Sequence, residues 1–75
     1  MEGGDELTEA EKKVIGSRLR ELRGNKPQKQ VADALGVTVT AISQYERGAR
    51  VPTDDMKKKL SKYYRRSINS IFFAS

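Results

Sequence analysis

The chain contains no cysteine and no histidine among its 75 residues. Without cysteine, a disulfide framework and thiolate-ligated zinc or iron–sulfur sites are excluded. Without histidine, the chain lacks the commonest general base and metal ligand. The acidic residues Asp33 and Glu46 stand alone, and the pair Asp54 and Asp55 suits the start of a helix. We therefore expect no enzymatic activity, no cofactor and no metal site.

Large apolar residues are also scarce. Leu, Ile, Val and Phe total 16 of 75 residues, only just above the level typical of disordered chains. A chain this short forms one small domain at most, with little room for a deep pocket. No apolar run approaches the roughly 18 residues of a membrane span, and the acidic start is unlike a signal peptide. A soluble cytoplasmic protein is the default expectation.

The charge is distributed unevenly along the chain. Residues 1–11 carry five acidic side chains and no basic one, whereas residues 12–75 carry 15 basic and five acidic ones. The net charges of the two parts are therefore −5 and +10. Such a basic body indicates a polyanionic partner, either nucleic acid or an anionic membrane surface. The basic, amphipathic run from 56 to 66 suits a membrane surface, but the core needs its apolar stripe.

The first seven residues contain two glycines and three acids. We expect residues 1–7 to form a flexible acidic tail and residues 8–75 to form the folded domain. The tail either screens the basic body or is simply solvated.

Apolar spacing and capping residues predict five helices and no strand. Thr8 and Glu11 fit a capping box, Thr38 and Thr53 are further N-cap candidates, and Gly36 suits a helix end. The predicted helices cover about 9–23, 28–35, 39–47, a stretch after Thr53, and 67–73. Only Gly36, Val37 and Thr38 separate the second helix from the third, which is typical of a helix-turn-helix.

The third helix has two distinct sides at 100° per residue. Its inner side is mostly apolar, and its outer side carries small and hydrogen-bonding residues: Val39, Thr40, Ser43, Gln44 and Arg47. An outer side of this kind suits the DNA major groove, where Gln pairs with adenine and an apolar group packs on the thymine methyl. Ordinary solvent exposure is the alternative for Gln44, and packing on a neighbouring loop is the alternative for Val39.

Phosphate contacts are expected beside this helix. Gln28 opens the second helix, where backbone N–H groups and the helix dipole favour an anion. Arg47 and Arg50 follow the third helix and are placed to grip the same backbone. The alternative for each arginine is an ordinary solvated charge.

A string of residues in this region resembles the Cro/phage-repressor (Xre-type) helix-turn-helix family. The string is Gln28-x-x-Val31-Ala32-x-x-Leu35-Gly36-Val37-Thr38-x-x-x-Ile42-Ser43-x-Tyr45-Glu46-Arg47-Gly48-x-Arg50-x-Pro52. Upstream, Ile15-Gly16-x-Arg18-Leu19-x-x-Leu22-Arg23 resembles the first helix of the family. Downstream, Leu60-x-x-Tyr63-Tyr64-x-x-Ser67-Ile68-x-x-Ile71-Phe72 resembles its closing helices, so the match covers about residues 14–73.

The resemblance implies an all-α, five-helix, lambda-repressor-like domain. Members of the family bind operator DNA, usually as homodimers, and act as transcriptional regulators, most often as repressors. The implied DNA-binding positions are Gln28, Thr38, Val39, Thr40, Ser43, Gln44, Arg47 and Arg50. Of these, Val39, Thr40 and Gln44 would read bases, Ser43 would contact either base or backbone, and the others would hold the backbone. The resemblance also implies an ion pair between Arg23 and Glu46, and it lets Gln28 buttress the recognition helix.

Three positions depart from the family pattern. Pro27 replaces the usual Ser or Thr cap of the second helix. The loop between Arg23 and Gln28 is about two residues shorter than usual, so Arg20 is an alternative partner for Glu46. Arg65 stands where glycine is common, and a non-glycine residue there is strained if its φ is positive.

The C-terminal end is apolar, and we expect it to form the dimer contact through Tyr63, Ile68, Ile71, Phe72 and Phe73. Not all of these residues can face a core this small. A different reading of the chain is a protein-interaction module, such as an antitoxin or anti-repressor component with the same fold. Such a module has no need for Arg47, Arg50 and a hydrogen-bonding outer side, so DNA binding is the favoured reading.

Overall fold

The computed structural model describes residues 7–73, and the predicted acidic tail lies outside this range except for Leu7. Within the range, five helices follow one another without a strand: α1 Glu9–Arg23, α2 Gln28–Leu35, α3 Val39–Glu46, α4 Asp54–Tyr64 and a C-terminal π-helix, Asn69–Phe73. The predicted all-α, five-helix architecture is confirmed. None of these helices has both the length and the apolar character that crossing a membrane requires.

Local sequence sets where most helices begin. Thr8 and Glu11 form a reciprocal capping box, in which the Thr8 hydroxyl accepts from the Glu11 amide at 3.0 Å and the Glu11 carboxylate accepts from the Thr8 amide at 2.8 Å. The Thr38 and Thr53 hydroxyls accept from amides three residues later. Pro27 provides no side-chain cap for α2, but its fixed φ is already suited to a helix start.

The last helix is shorter than predicted, because it begins at Asn69, directly after one α-helical residue, Ile68. The Ser67 hydroxyl accepts from the Ser70 amide at 3.1 Å. The helix then packs against α1, where Arg18 Nη1 donates to the Ile71 carbonyl at 2.9 Å. This contact turns consecutive apolar residues of the π-helix towards the interior.

A single apolar core lies between the helices. Its buried side chains are Ile15, Leu19, Val31, Ala32, Leu35, Ala41, Ile42, Tyr45, Met56, Leu60, Ile71 and Phe72. Ile71 and Phe72 are only 1% and 5% exposed, so almost none of their side-chain surface remains for the dimer contact expected of them. Both side chains pack into the core of their own chain, because a small domain needs every large apolar side chain it can bury.

The backbones of α1 and α3 approach closely at two glycines. A Cβ placed on Gly16 would lie 2.3 Å from the Glu46 carbonyl oxygen and 2.8 Å from that of Tyr45. A Cβ placed on Gly48 would lie 3.0 Å from the Lys12 backbone, and Gly48 also has a φ of 74°. The C-terminal end of α3 is therefore held directly against the backbone of α1.

We expect Gly16→Ala to destabilise the domain by about 1–3 kcal/mol, because the added methyl group overlaps backbone atoms that cannot move independently. Urea unfolding followed by circular dichroism measures this loss. Ser17→Ala, at the exposed neighbouring position, is the control and should unfold close to the wild-type midpoint. A Gly16→Ala variant as stable as the control would contradict the close α1–α3 approach.

Arg65 ends α4 in the left-handed conformation, with φ 58° and ψ 45°. A non-glycine residue with a positive φ is strained, as expected for this departure from the family pattern. The turn is nevertheless closed by hydrogen bonds, since the Arg66 amide donates to the Ser61 carbonyl at 3.1 Å and the Ser61 hydroxyl donates to the Arg66 carbonyl. The strain is thus held in place by its neighbours.

Replacing Arg65 with glycine removes this strain, which costs about 1–2 kcal/mol at a left-handed residue. Part of the gain is offset by the greater freedom of glycine in the unfolded chain. We expect Arg65→Gly to raise the free energy of unfolding by about 0.5–1 kcal/mol, or the melting temperature by about 2–8 °C. Arg65→Ala removes the same charge but keeps the strain, so an equal gain in both variants would contradict this explanation.

Candidate nucleic-acid interface

The turn between α2 and α3 fixes the angle between the two helices. Gly36 ends α2 in the left-handed conformation, with φ 71° and ψ 33°. The Val37 amide donates back to the Ala32 carbonyl at 2.9 Å, and the Thr38 hydroxyl accepts from the Ala41 amide at 3.1 Å. Gly36 therefore reverses the direction of the chain, and Thr38 caps the start of α3. This is the geometry of a helix-turn-helix.

The outer side of α3 is partly open to solvent. Val39, Thr40 and Arg47 are exposed, and Ser43 and Gln44 are half-buried. Val39 is 41% exposed although it is a large apolar residue. Because it lies at the start of α3 rather than under a loop, the packing alternative for Val39 has no support in this structure.

Two arginines lie at the far end of α3. Arg47 is exposed, and its Nε atom donates to the Ser43 hydroxyl at 3.3 Å. The Arg50 guanidinium lies 5.8 Å from the centre of the Tyr45 ring, at a distance where a cation and an aromatic ring attract. The adjoining turn is fixed by the amides of Ala49 and Arg50, which both donate to the Gln44 carbonyl. These contacts hold two positive charges at the C-terminal end of α3.

A network of charged and polar side chains connects α3 to α1 and α2. Arg23 meets Glu46 in a two-pronged ion pair, with Nε to Oε2 at 2.7 Å and Nη2 to Oε1 at 3.0 Å. Gln28 Nε2 donates to the same Oε1 at 3.1 Å, and Arg23 Nη1 donates to the Lys26 carbonyl at 2.7 Å. The Arg23 and Glu46 side chains are only 11% and 6% exposed. One carboxylate thus joins α1, the following loop, α2 and α3.

The same carboxylate influences neighbouring ionisable groups. Its hydrogen bond to Arg23 raises the pKa of the guanidinium above its ordinary value, so Arg23 stays charged. Burial, together with the nearby charge of Glu46, raises the pKa of the half-buried Tyr64 phenol to about 12. Tyr64 therefore packs beside the ion pair as a neutral group at any ordinary pH.

The structure resolves two open points about individual residues. Arg23 rather than Arg20 contacts Glu46, since Arg20 Nη1 instead donates to the Gly24 carbonyl at 3.3 Å. Gln28 Nε2 donates one of its two N–H groups to Glu46, so its second N–H and its backbone amide remain available for an anion. Sequence reasoning missed the structural roles of Gly16 and Gly48, although a glycine inside a helix costs stability and usually has a packing reason.

We expect the two halves of the ion pair to be strongly coupled. Glu46→Ala leaves a nearly buried guanidinium without its anion, which costs about 3–5 kcal/mol when the site is fully buried. Arg23→Ala should cost a similar amount, whereas the double variant should cost less than the sum. Urea unfolding of the four proteins gives the coupling energy. Additive single losses would show that the contact contributes nothing to stability.

Comparison with known proteins agrees with this geometry. A helix-turn-helix family model matches residues 17–71, which includes α2, α3 and most of the core. No curated protein and no solved structure gives a significant match to the chain. The matched range covers well over half of the sequence, and the folded elements within it present a hydrogen-bonding helix on a rigid support. The chain belongs to the Cro/C1-type, Xre-like helix-turn-helix family of DNA-binding regulators.

Proposed function

We propose that the protein is a transcriptional repressor that binds a palindromic operator as a homodimer, with α3 in the major groove. The observation that carries this proposal is the outer side of α3, which is exposed, hydrogen-bonding and braced from behind by Glu46. A helix on a solvated surface normally carries mixed charges there, whereas this side has one arginine and otherwise short neutral residues.

Base recognition falls to the residues in the middle and at the start of α3. Gln44 pairs its amide with adenine, and Thr40 donates or accepts at neighbouring base edges. Val39 packs against a thymine methyl group, which gives an exposed apolar side chain a favourable contact. Ser43 serves either a base or a phosphate, and its hydroxyl also positions Arg47.

Phosphate contacts frame the groove on both sides of α3. Pro27 offers α2 no side-chain cap, and the Gln30 amide donates to the Pro27 carbonyl, which leaves the amides of Gln28 and Lys29 available to an anion. Thr38, Arg47 and Arg50 supply the contacts at the two ends of α3. Such contacts fix the position of the protein and provide affinity but carry no sequence information themselves.

The proposed homodimer and the proposed palindromic operator are linked by two-fold symmetry. Two copies related by a two-fold axis would place their recognition helices about 34 Å apart, one turn of B-DNA. They would then read an inverted repeat. Of the predicted contact residues, Tyr63, Ile68 and Phe73 remain available for the dimer. Repression needs only that the bound dimer covers a promoter, whereas activation needs a further contact with the transcription machinery.

The direct test is selection of bound duplexes from a random DNA library by the purified protein at fixed, near-physiological salt. Salt must be fixed because phosphate-driven affinity falls steeply with its concentration. We expect an enriched inverted repeat with half-site centres about 10 base pairs apart. Binding that shows no enriched sequence and disappears as salt rises would contradict sequence-specific recognition.

Variants separate base contacts from phosphate contacts on the selected operator. Gln44→Ala and Val39→Ala should each weaken operator binding by about 1–3 kcal/mol while leaving binding to unrelated DNA unchanged. Arg47→Ala should weaken both and lower the salt slope by about 1. Lys62→Ala, which removes an exposed charge from α4, is the charge-matched control. An equal effect of Arg47→Ala and Lys62→Ala would contradict the proposed phosphate contact.

A further inference from the structure

Two large, exposed apolar side chains take no part in the proposed DNA contacts. Val14 on α1 is 48% exposed and Phe73 at the end of the π-helix is 62% exposed. They are not scattered, because both line one groove together with Leu7 and Ala10. A contiguous apolar surface on a small domain marks a contact site more often than isolated exposed residues do.

This surface, which we call the α1 face, combines a groove and a projecting ring. The groove has a volume of about 360 Å³ and runs between α1 and the π-helix. The Phe73 ring stands at its edge, with Lys57 Nζ 5.1 Å from the ring centre. The groove is large enough to accept a phenyl ring. A projection and a recess on the same surface are what a two-fold contact requires, since each copy supplies both.

The charges on the α1 face are also arranged for self-association. Glu11, Val14 and Arg18 are spaced at i, i+3 and i+7, so they lie along one side of α1, and all three line the groove. Two α1 helices that pack antiparallel, with the axis near Val14, bring each Glu11 opposite Arg18 of the other copy. Both charged side chains are already held in position, Glu11 by the Thr8 amide and Arg18 by the Ile71 carbonyl.

We propose that the α1 face is the surface through which two copies of this chain associate, with Val14 near the two-fold axis and each Phe73 in the groove of the other copy. This inference rests on the proposed homodimer and gives it a surface. Of the residues predicted at the C-terminal end for the dimer contact, Phe73 is the one that this surface includes as an exposed side chain. Tyr63 is half-buried and lies in a different groove, beside Lys59 and Lys62, so it belongs to a separate surface.

Sedimentation equilibrium of the full chain over a range of concentrations tests the proposal. The wild type should associate reversibly to a dimer, and Val14→Glu should raise the dimer dissociation constant at least tenfold, because it buries two like charges near the axis. Phe73→Ser should weaken the dimer in the same direction. Measured at a concentration below the dimer dissociation constant, where association no longer raises the melting temperature, the thermal melting of Val14→Glu should stay close to that of the wild type, since Val14 lies outside the core.

Two control variants define the outcomes. Ala34→Glu introduces the same charge at an exposed position of α2 and should leave the dimer unchanged, and Tyr63→Glu tests the alternative surface. A wild-type dimer that Val14→Glu leaves intact, or that only Tyr63→Glu disrupts, would overturn the α1 face while leaving the homodimer standing. A wild type that stays monomeric at high concentration and binds the selected operator as a single copy would overturn the proposed homodimer itself.

Discussion

The placement of the recognition helix depends on the carboxylate of Glu46. A negative charge at the C-terminal end of a helix is unfavourable, because the helix dipole is also negative there. Arg23 compensates for it with two hydrogen bonds, and Gln28 adds a third. A nearly buried ion pair of this kind contributes less to net stability than its contacts suggest, because both groups lose their hydration. Its stronger effect is to permit one orientation of α3 against α1 and α2.

Two glycines add close backbone contacts between α1 and the end of α3. Gly16 lets the backbone of α1 reach the last carbonyls of α3, and Gly48 lets the following turn reach Lys12. Side-chain and backbone contacts therefore converge on residues 45 to 48, and these residues have little freedom to shift. A helix that is already fixed in its binding position loses less conformational freedom when it enters a groove.

Features that depend on neighbouring residues could be predicted from the sequence. The caps Thr8, Thr38 and Thr53, the turn at Gly36 and the exposed side of α3 all follow from short-range chemistry. The orientation of the C-terminal residues could not be predicted, because Ile71, Phe72 and Phe73 are consecutive and apolar and show no period that separates inside from outside. Only the packing of the π-helix on α1 decides that the first two are buried and Phe73 is exposed.

The size of most side chains on the outer side of α3 makes the position of this helix important for the proposed contacts. Val39, Thr40 and Ser43 are short, so in the proposed complex they reach base edges only if the backbone of α3 lies deep in the groove. Long residues such as arginine tolerate small errors in helix position by changing rotamer, whereas short residues do not. The basic charge of the body supplies affinity for any DNA through phosphates. In the proposed complex, discrimination between sequences depends on Gln44 and a few short side chains, and their reach to the bases depends on where Arg23, Gln28 and Glu46 hold α3.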